Sequence, residues 1–128
     1  MPIERYYGKA ETALVTLGEK QLHFAASLVG ERGLGKFNYV QIGVDPELRR
    51  IYFAFFEKPT PGSSKFFKQS NRSMRRMIAV GGLYAKYAWF DALRRRKEKG
   101  KRQFVLEEVT PDETDAYPTY QYFIAVGD

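Results

Sequence analysis

Apolar and polar side chains alternate along two short stretches near the start of the chain, residues 12–17 and 21–25. Alternation with a period of two places the apolar side chains on one face of a β-strand, so the two stretches predict a hairpin. Residues 25–32 that follow favour a short helix. Gly33 is expected to end this helix, because glycine readily adopts the left-handed conformation found at helix ends.

A second hairpin is predicted over residues 37–44 and 49–57, joined by a turn that contains Asp45 and Pro46. Its second strand reads IYFAFFE and carries apolar residues on both faces. Such a strand is covered on both sides by the protein core, by a second copy of the chain, or by stacked bases. Because a lone domain rarely leaves a large aromatic patch in water, we expect a homo-oligomer, either a dimer or a tetramer.

Four further strands and one longer helix are predicted in the second half of the chain. The strands occupy residues 65–69, 73–80, 102–109 and 119–126, and the helix occupies residues 83–99, where an apolar stripe recurs with the helical period. The predicted fold is therefore α+β. It has roughly eight strands in curved antiparallel sheets, with one short and one long helix.

The predicted elements follow the order ββαββ and then ββαββ again. A chain of 128 residues is long enough to bury one core, so we assign residues 1–128 to a single domain. Residues 10–57 and 65–126 are interpreted as pseudo-repeat halves within it. This interpretation rests on a valine-rich strand, a proline turn and an aromatic strand that recur in both halves.

Positive charge is concentrated between residues 65 and 102. Thirteen Lys and Arg side chains and two acidic ones give this segment a net charge of +11, whereas the whole chain carries +6. Aromatic residues are interleaved with these cations. Cations neutralise phosphates and flat rings stack on unpaired bases, and proteins that bind single strands combine the two. The segment therefore predicts largely sequence-independent binding of single-stranded DNA or RNA, in transcription regulation or replication.

Three sets of residues form the candidate binding site. The first set contains cations expected on the phosphates of a single strand: Lys65, Lys68, Arg72, Arg75 and Arg76. The second set contains aromatic candidates for stacking on bases: Phe53, Phe55, Phe66 and Phe67. The third set contains cations near the end of the long helix that would contact the backbone of a duplex: Arg94, Arg95, Arg96 and Lys97.

The residue types that catalysis and metal binding require are scarce in this chain. Cysteine is absent and His23 is the single histidine. The chain therefore has no Cys nucleophile and no pair of histidines for a metal. His23 lies in an alternating strand beside Phe24, where a solitary histidine is more often a packed or surface residue than a base, so we recognise no Ser-His-Asp set. We predict a protein that is not an enzyme and that needs neither a metal nor a cofactor.

An acidic segment, residues 107–115, follows the basic one. We interpret it as a competitor of nucleic acid for the basic segment, or as a contact for a basic protein partner. The chain contains no run of the ~18 apolar residues that a membrane span requires. We expect an intracellular, cytoplasmic protein that is free, associated with the nucleoid, or present in an infected host cell, with no membrane partner.

Residues 37–100 resemble two families that bind single-stranded DNA. The order of four strands before a helix, the stretch YVQIGVDPELRRIYFAFFEKPTPG, the basic strand SMRRMIAV and the helix LYAKYAWFDAL are similar to the positive-cofactor-four coactivators and the Whirly proteins. The resemblance implies curved antiparallel sheets, oligomers, and a role in transcription or genome maintenance. An extra ββα unit in front departs from the pattern of those families.

Residues 15–55 resemble a different family, the AbrB-like swapped-hairpin transcription factors, through LHFAASLVGERGLGKFNYVQIGVDPELRRIYF. The Gly-Asp pair that usually follows the helix in that family is replaced here by Lys36-Phe37-Asn38. This resemblance implies a regulator that binds double-stranded DNA. A third alternative is an oligomeric adaptor protein that binds no nucleic acid and whose aromatic strands form its interface.

Overall fold

Short strands and short helices make up the computed structural model, which describes residues 14–68, 74–109 and 120–127. The strands within these ranges are β1 (Leu14–Leu17), β2 (Gln21–Phe24), β3 (Tyr39–Asp45), β4 (Arg50–Phe56), β5 (Ser64–Lys65), β6 (Phe67–Lys68), β7 (Arg76–Ala79), β8 (Gln103–Val105), β9 (Glu107–Glu108) and β10 (Tyr122–Ala125). The helices are α1 (Ala26–Glu31), α2 (Gly81–Lys86) and α3 (Ala88–Arg94), and 3-10 turns occupy Leu34–Lys36 and Lys99–Arg102.

The strands pair into two antiparallel sheets of five. Sheet A has the order β6-β7-β2-β1-β8, and sheet B has the order β5-β3-β4-β10-β9. Both predicted hairpins of the first half are present, with Thr16 opposite His23 in one and Ile42 opposite Phe53 in the other. The predicted α+β class and the antiparallel ββαββ-ββαββ order are therefore confirmed.

Two of the eight predicted strands cross from one sheet to the other, so each is observed as two short strands. Phe66 alone separates β5 in sheet B from β6 in sheet A, and Leu106 alone separates β8 in sheet A from β9 in sheet B. Both crossing residues are buried. A strand that bends in this way forms a corner between two packed sheets and contributes pairing to both of them.

The inner faces of the two sheets meet in an aromatic centre. Phe24 of sheet A lies edge-on to Phe53 of sheet B, with ring centroids 5.4 Å apart, and edge-on to Phe66 at 5.1 Å. Each such pair contributes about 0.5 to 1.5 kcal/mol beyond the burial of its surface. Leu28 and Val29 of α1 belong to the same core. The inner faces of the two sheets therefore share one hydrophobic core.

The prediction of one long helix over residues 83–99 is wrong. Helices α2 and α3 are separated by Tyr87, whose backbone is extended, with φ −116° and ψ 104°. In a continuous helix, two residues six positions apart lie about 120° from each other around the axis. The rings of Tyr84 and Phe90 nevertheless stack with centroids 4.8 Å apart. The break at Tyr87 therefore lets both rings enter the core.

The strand pairing has an internal two-fold relation when β5 with β6, and β8 with β9, are each counted as one bent strand. In this relation β1, β2, β3 and β4 correspond to β5 with β6, to β7, to β8 with β9, and to β10. The pair of β1 with β2 then corresponds to the pair of β6 with β7, and the pair of β3 with β4 corresponds to that of β9 with β10. This relation also converts the β1 and β8 pair into β5 and β3. The central pairs, β2 with β7 and β4 with β10, are each converted into themselves. The two halves of the chain are equivalent in their pairing.

The aromatic strand β4 is covered on both faces within one chain. It lies between β3 and β10, and residues 51–55 are all buried. Its inner face contacts sheet A, and on its outer face Tyr52 lies 5.6 Å from Phe123 and 5.9 Å from Tyr120, measured between ring centroids. The patch on which the expectation of a homo-oligomer rested is therefore not exposed.

We expect the isolated protein to sediment as a monomer at tens of micromolar. Because β4 presents no exposed aromatic face, association through it would bury little additional apolar surface. Sedimentation velocity over a range of concentrations tests this expectation. A dimer that dissociates on dilution would contradict it, and replacing the exposed Leu48 or Met74 with serine would then identify the associating surface.

Candidate nucleic-acid interface

Five side chains, one from each strand, form a row across the outer face of sheet A. In strand register they are Phe67, Met77, His23, Thr16 and Gln103. The strand neighbours of this row point the other way, and Phe24 among them belongs to the core. Adjacent strands lie about 4.8 Å apart, so the row spans roughly 19 Å.

A groove of about 350 Å³ opens on this face beside His23, and we call it the basic groove. Arg75, Lys99 and Arg102 line it together with Gln103 of the row. No Asp or Glu is among the lining residues that the structure describes. Cations gathered in one groove create a positive potential that attracts anions.

The 3-10 turn at Lys99–Arg102 explains how two of these cations come together. A 3-10 helix has three residues per turn, so side chains three positions apart lie one above the other. Lys99 and Arg102 therefore face the same side, and Arg102 Nη1 donates to the Leu17 carbonyl oxygen at 3.4 Å. The sequence prediction did not include either residue in the site. The Lys-Gly-Lys-Arg spacing directly before a strand is the signal that would have found them.

His23 is half-buried and packs against the turn between β1 and β2. A Cβ atom at Gly18 would lie 2.6 Å from His23 Nε2, so glycine is needed for the imidazole ring to fit there. Burial lowers the pKa of His23, and the positive charges of Arg75 and Lys99 lower that pKa further. The ring is therefore neutral at neutral pH, and an anion in the groove would favour its protonation.

Tyr84 anchors α2 to the same turn. Its hydroxyl donates to the Gly18 carbonyl oxygen at 2.9 Å, and burial raises the pKa of Tyr84 to about 12. The hydroxyl therefore remains a donor throughout the physiological pH range. Arg94 lies over the Tyr84 ring, 4.6 Å from its centroid, and donates to the Glu19 carbonyl oxygen. These contacts fix the turn against which His23 packs.

A second groove, which we call the edge groove, lies where the chain crosses from sheet B to sheet A. It encloses about 290 Å³ and is lined by exposed Lys65 and Lys68 and by the half-buried rings of Tyr39 and Phe67. Phe67 faces outward because Phe66, the residue before it, points into the core. The lining thus contains one ring that the prediction lacked, Tyr39, and five predicted site residues, of which two are buried: Lys65, Phe67, Lys68 and the buried Phe66 and Arg76.

Three of the four predicted stacking rings lie in the core. Phe53, Phe55 and Phe66 are 0%, 3% and 1% exposed. All three surround Phe24, with ring centroids 5.4, 6.0 and 5.1 Å from it. A ring in this position cannot reach a base while the core is intact. We correct their assignment from stacking to core packing, which leaves Phe67 as the stacking candidate of that set.

Arg76 also has a structural position rather than a place on the outer face. It is 6% exposed, and its Nη2 donates to the Gly35 carbonyl oxygen at 2.7 Å. The guanidinium carbon lies 5.9 Å from the centroid of the Phe66 ring. Because Arg76 stands opposite Phe24 in the sheet, its side chain extends along the inner face. We correct its assignment from phosphate binding to linking β7 with the 3-10 turn after α1.

The arginines near the end of α3 are engaged within the chain. Arg94 Nε and Arg95 Nε donate to the two carboxylate oxygens of Asp91 at 2.5 and 3.0 Å, and these hydrogen bonds lower the pKa of Asp91. Arg96 Nη1 donates to a backbone carbonyl oxygen at 3.2 Å. Lys97 is exposed. The three arginines of this set therefore stabilise the end of α3 and the loop after it.

Two predicted features lie wholly or largely outside the described residues. Arg72 is one of them, and residues 110–115 of the acidic segment are the other. The structure describes the first residues of the acidic segment, and Glu107 and Glu108 there are exposed on β9. Glu108 accepts a hydrogen bond from Arg32 Nη1 at 3.1 Å, so part of its charge is compensated within the chain.

Comparison with known proteins leaves the family of this chain open. No family model, no curated protein and no solved structure matches it. Within the parts of the chain that the structure describes, no helix has the length and apolarity to cross a membrane, and no three His, Asp or Glu side chains cluster as metal ligands. The functional argument therefore rests on the two grooves and the row of side chains between them.

Proposed function

We propose that this protein binds single-stranded nucleic acid, without strong sequence preference, across the outer face of sheet A. The observation that carries the proposal is the basic groove, because Arg75, Lys99 and Arg102 line it together on the outer face of sheet A. The row of side chains connects this groove to Phe67, which lines the edge groove with Lys65. A strand laid along the row would pass from one groove to the other.

The roles of the residues follow from their chemistry. The cations of both grooves neutralise phosphates, and release of the counterions bound to those phosphates provides the free energy of binding. The rings of Phe67 and Tyr39 can stack on unpaired bases, and stacking is open to every base because every base has a flat aromatic face. Thr16 and Gln103 add hydroxyl and amide groups along the path. Backbone charge and stacking are insensitive to base identity, so we expect sequence tolerance.

The shape of the site favours a single strand over a duplex. The helices among the described residues are short, and α3, the longest of them, has seven residues and a length of about 10 Å. The arginines at its end are paired with Asp91. A helix that reads a duplex needs free side chains to reach the major groove. The stacking rings, in contrast, require bases that are not already paired.

Competition binding tests this proposal with one labelled oligonucleotide and unlabelled single-stranded or duplex competitors of the same sequence. We expect the single strand to compete better. We also expect log K to fall against log salt with a slope of about 3.5, because five single-strand phosphate contacts contribute about 0.7 each. Equal competition by the duplex, or an affinity that does not change with salt, would contradict the proposal.

A further inference from the structure

The two grooves occupy corresponding positions in the two halves of the chain. In the internal two-fold relation, β1 corresponds to β5 with β6, and β3 corresponds to β8 with β9. The lining of the basic groove includes residues of β1 and β8, and that of the edge groove includes residues of β5, β6 and β3. A 3-10 turn comes before β8 at Lys99–Arg102 and before β3 at Leu34–Lys36. The relation between the strands therefore also relates the grooves.

The axis of this relation is normal to sheet A and passes between β2 and β7. Two antiparallel neighbours exchange places, with each face kept, by a rotation of 180° about the normal to the sheet. His23 and Met77 are direct partners in the central pair. Rotation about the point between them exchanges Thr16, the partner of His23, with Phe67, the partner of Met77. The row from Phe67 to Thr16 is mapped onto itself with its ends exchanged.

A nucleic-acid strand has a direction, and this rotation reverses it. A strand that runs 5′ to 3′ from the basic groove to the edge groove would run 3′ to 5′ after the rotation, over corresponding positions of the sheet. The twist between neighbouring strands has a fixed hand, which a rotation does not change. The shape of the sheet therefore does not distinguish the two directions.

The side chains along the path also carry little information about direction. The cations of both grooves attract phosphates through their charge, and the rings of the edge groove stack on flat bases. Neither interaction depends on which way the strand runs. Within the row, Gln103 Nε2 donates to Thr16 Oγ1 at 3.5 Å, so these two polar groups partly satisfy each other.

We propose that the path across sheet A accepts a single strand in either direction, with its 5′ end at the basic groove or at the edge groove. This inference rests on the function proposed above. It defines the substrate class more closely: single-stranded segments of either polarity, so that 5′ tails and 3′ tails of a duplex are bound alike.

Thymidine strands with a reversed centre test the inference. One strand of about eight nucleotides, within the range of site sizes of such proteins, is natural throughout. In two others, the halves are joined 3′ to 3′ or 5′ to 5′. We expect at least one reversed strand to bind as tightly as the natural strand, within about twofold, or more tightly. A directional site would hold only half of a reversed strand and lose about two phosphate contacts, a roughly 60-fold loss at ~50 mM salt.

One variant in each groove shows that the three strands use the same path. Lys65→Gln and Lys99→Gln should each weaken all three strands about eightfold at ~50 mM salt, because each removes one phosphate contact. The matched control is Lys58→Gln, since Lys58 is exposed and lines neither groove, and it should have little effect. If the reversed strands kept their affinity in both groove variants, they would bind elsewhere and the inference would fail.

Spin labels on the natural strand provide an independent readout. A nitroxide is attached to the 5′ end in one sample and to the 3′ end in another, and the broadening of backbone amide signals is measured by NMR. The row spans roughly 19 Å, so its two ends are distinguishable. We expect either label to broaden the amides of both Gln103 and Phe67. A strand bound in one direction would bring the 5′ label to one of these residues and the 3′ label to the other.

The outcomes separate this inference from the proposed function. If the natural strand binds with salt-dependent affinity but both reversed strands bind at least about tenfold more weakly, the site is directional and this inference alone fails. Broadening at a single end of the row by each label would have the same meaning. If no strand binds, the proposed function fails and this inference fails with it.

Discussion

Replacing Phe66 with alanine should remove a large part of the free energy of unfolding, whereas the same change at the neighbouring Phe67 should leave it nearly unchanged. Phe66 packs against Phe24 and Phe55 with ring centroids 5.1 and 5.0 Å away. Loss of a buried phenylalanine costs about 3 to 5 kcal/mol of the free energy of unfolding, and whole domains have only about 5 to 15 kcal/mol. Denaturant unfolding measures this loss directly.

At Phe67 the expected loss is in binding. Removal of a stacking ring costs about 1 to 3 kcal/mol of single-strand affinity, which oligonucleotide titration measures. Phe67→Leu is the matched control, because it keeps apolar bulk on the outer face and removes only the aromatic ring. It should bind as weakly as Phe67→Ala and melt like the unmodified protein. If Phe67→Ala kept full affinity, stacking at the edge groove would be ruled out.

Removing two charges from the basic groove should have the largest effect on binding. With Arg75→Ala and Lys99→Ala combined, the slope of log K against log salt should fall by about 1.4, because each lost phosphate contact removes about 0.7. At ~50 mM salt this corresponds to a roughly 60-fold loss of affinity for a single strand. Both residues surround His23 on an outer face, so we expect little change in the melting temperature.

The control for this variant removes the same charge elsewhere. Lys36 and Lys58 are exposed and do not line either groove. Lys36→Ala with Lys58→Ala changes the net charge equally and should leave the slope unchanged, with an affinity loss of only a few-fold from the weaker long-range field. Equal losses in the two double variants would indicate that net charge alone attracts the strand, without a defined groove.

Local pattern was sufficient to predict the hairpins because their pairing depends on neighbouring residues. Alternation put Val15 and Leu17 on one face, and the register places them opposite Phe24 and Leu22. The turn at Asp45 follows the same logic, since its carboxylate accepts hydrogen bonds from the amides of Glu47 and Leu48 at 3.0 and 3.1 Å. Each of these contacts spans only a few residues.

The pattern of apolar and polar residues was less informative about the helical segment, residues 83–99, and about the basic groove. An apolar stripe is compatible with one continuous helix and also with two helices that share a buried face. The stacking of Tyr84 on Phe90 decides between them. The basic groove combines residues from the 3-10 turn, from β2 and from the approach to β7. No spacing along the chain indicates that Lys99 and Arg75 both lie near enough to His23 to lower its pKa.

The residue composition and the alternation of apolar and polar side chains were sufficient to determine the α+β class and the order of strands and helices. They also located the concentration of positive charge between residues 65 and 102. These properties depend on each residue and its near neighbours. Tertiary packing alone decided which of these cations lie at the surface. Arg76 is buried against Phe66 while Arg75, one residue earlier, lines the basic groove. Adjacent residues in a strand point to opposite faces, and only the pairing of β7 between β2 and β6 determines which face is covered.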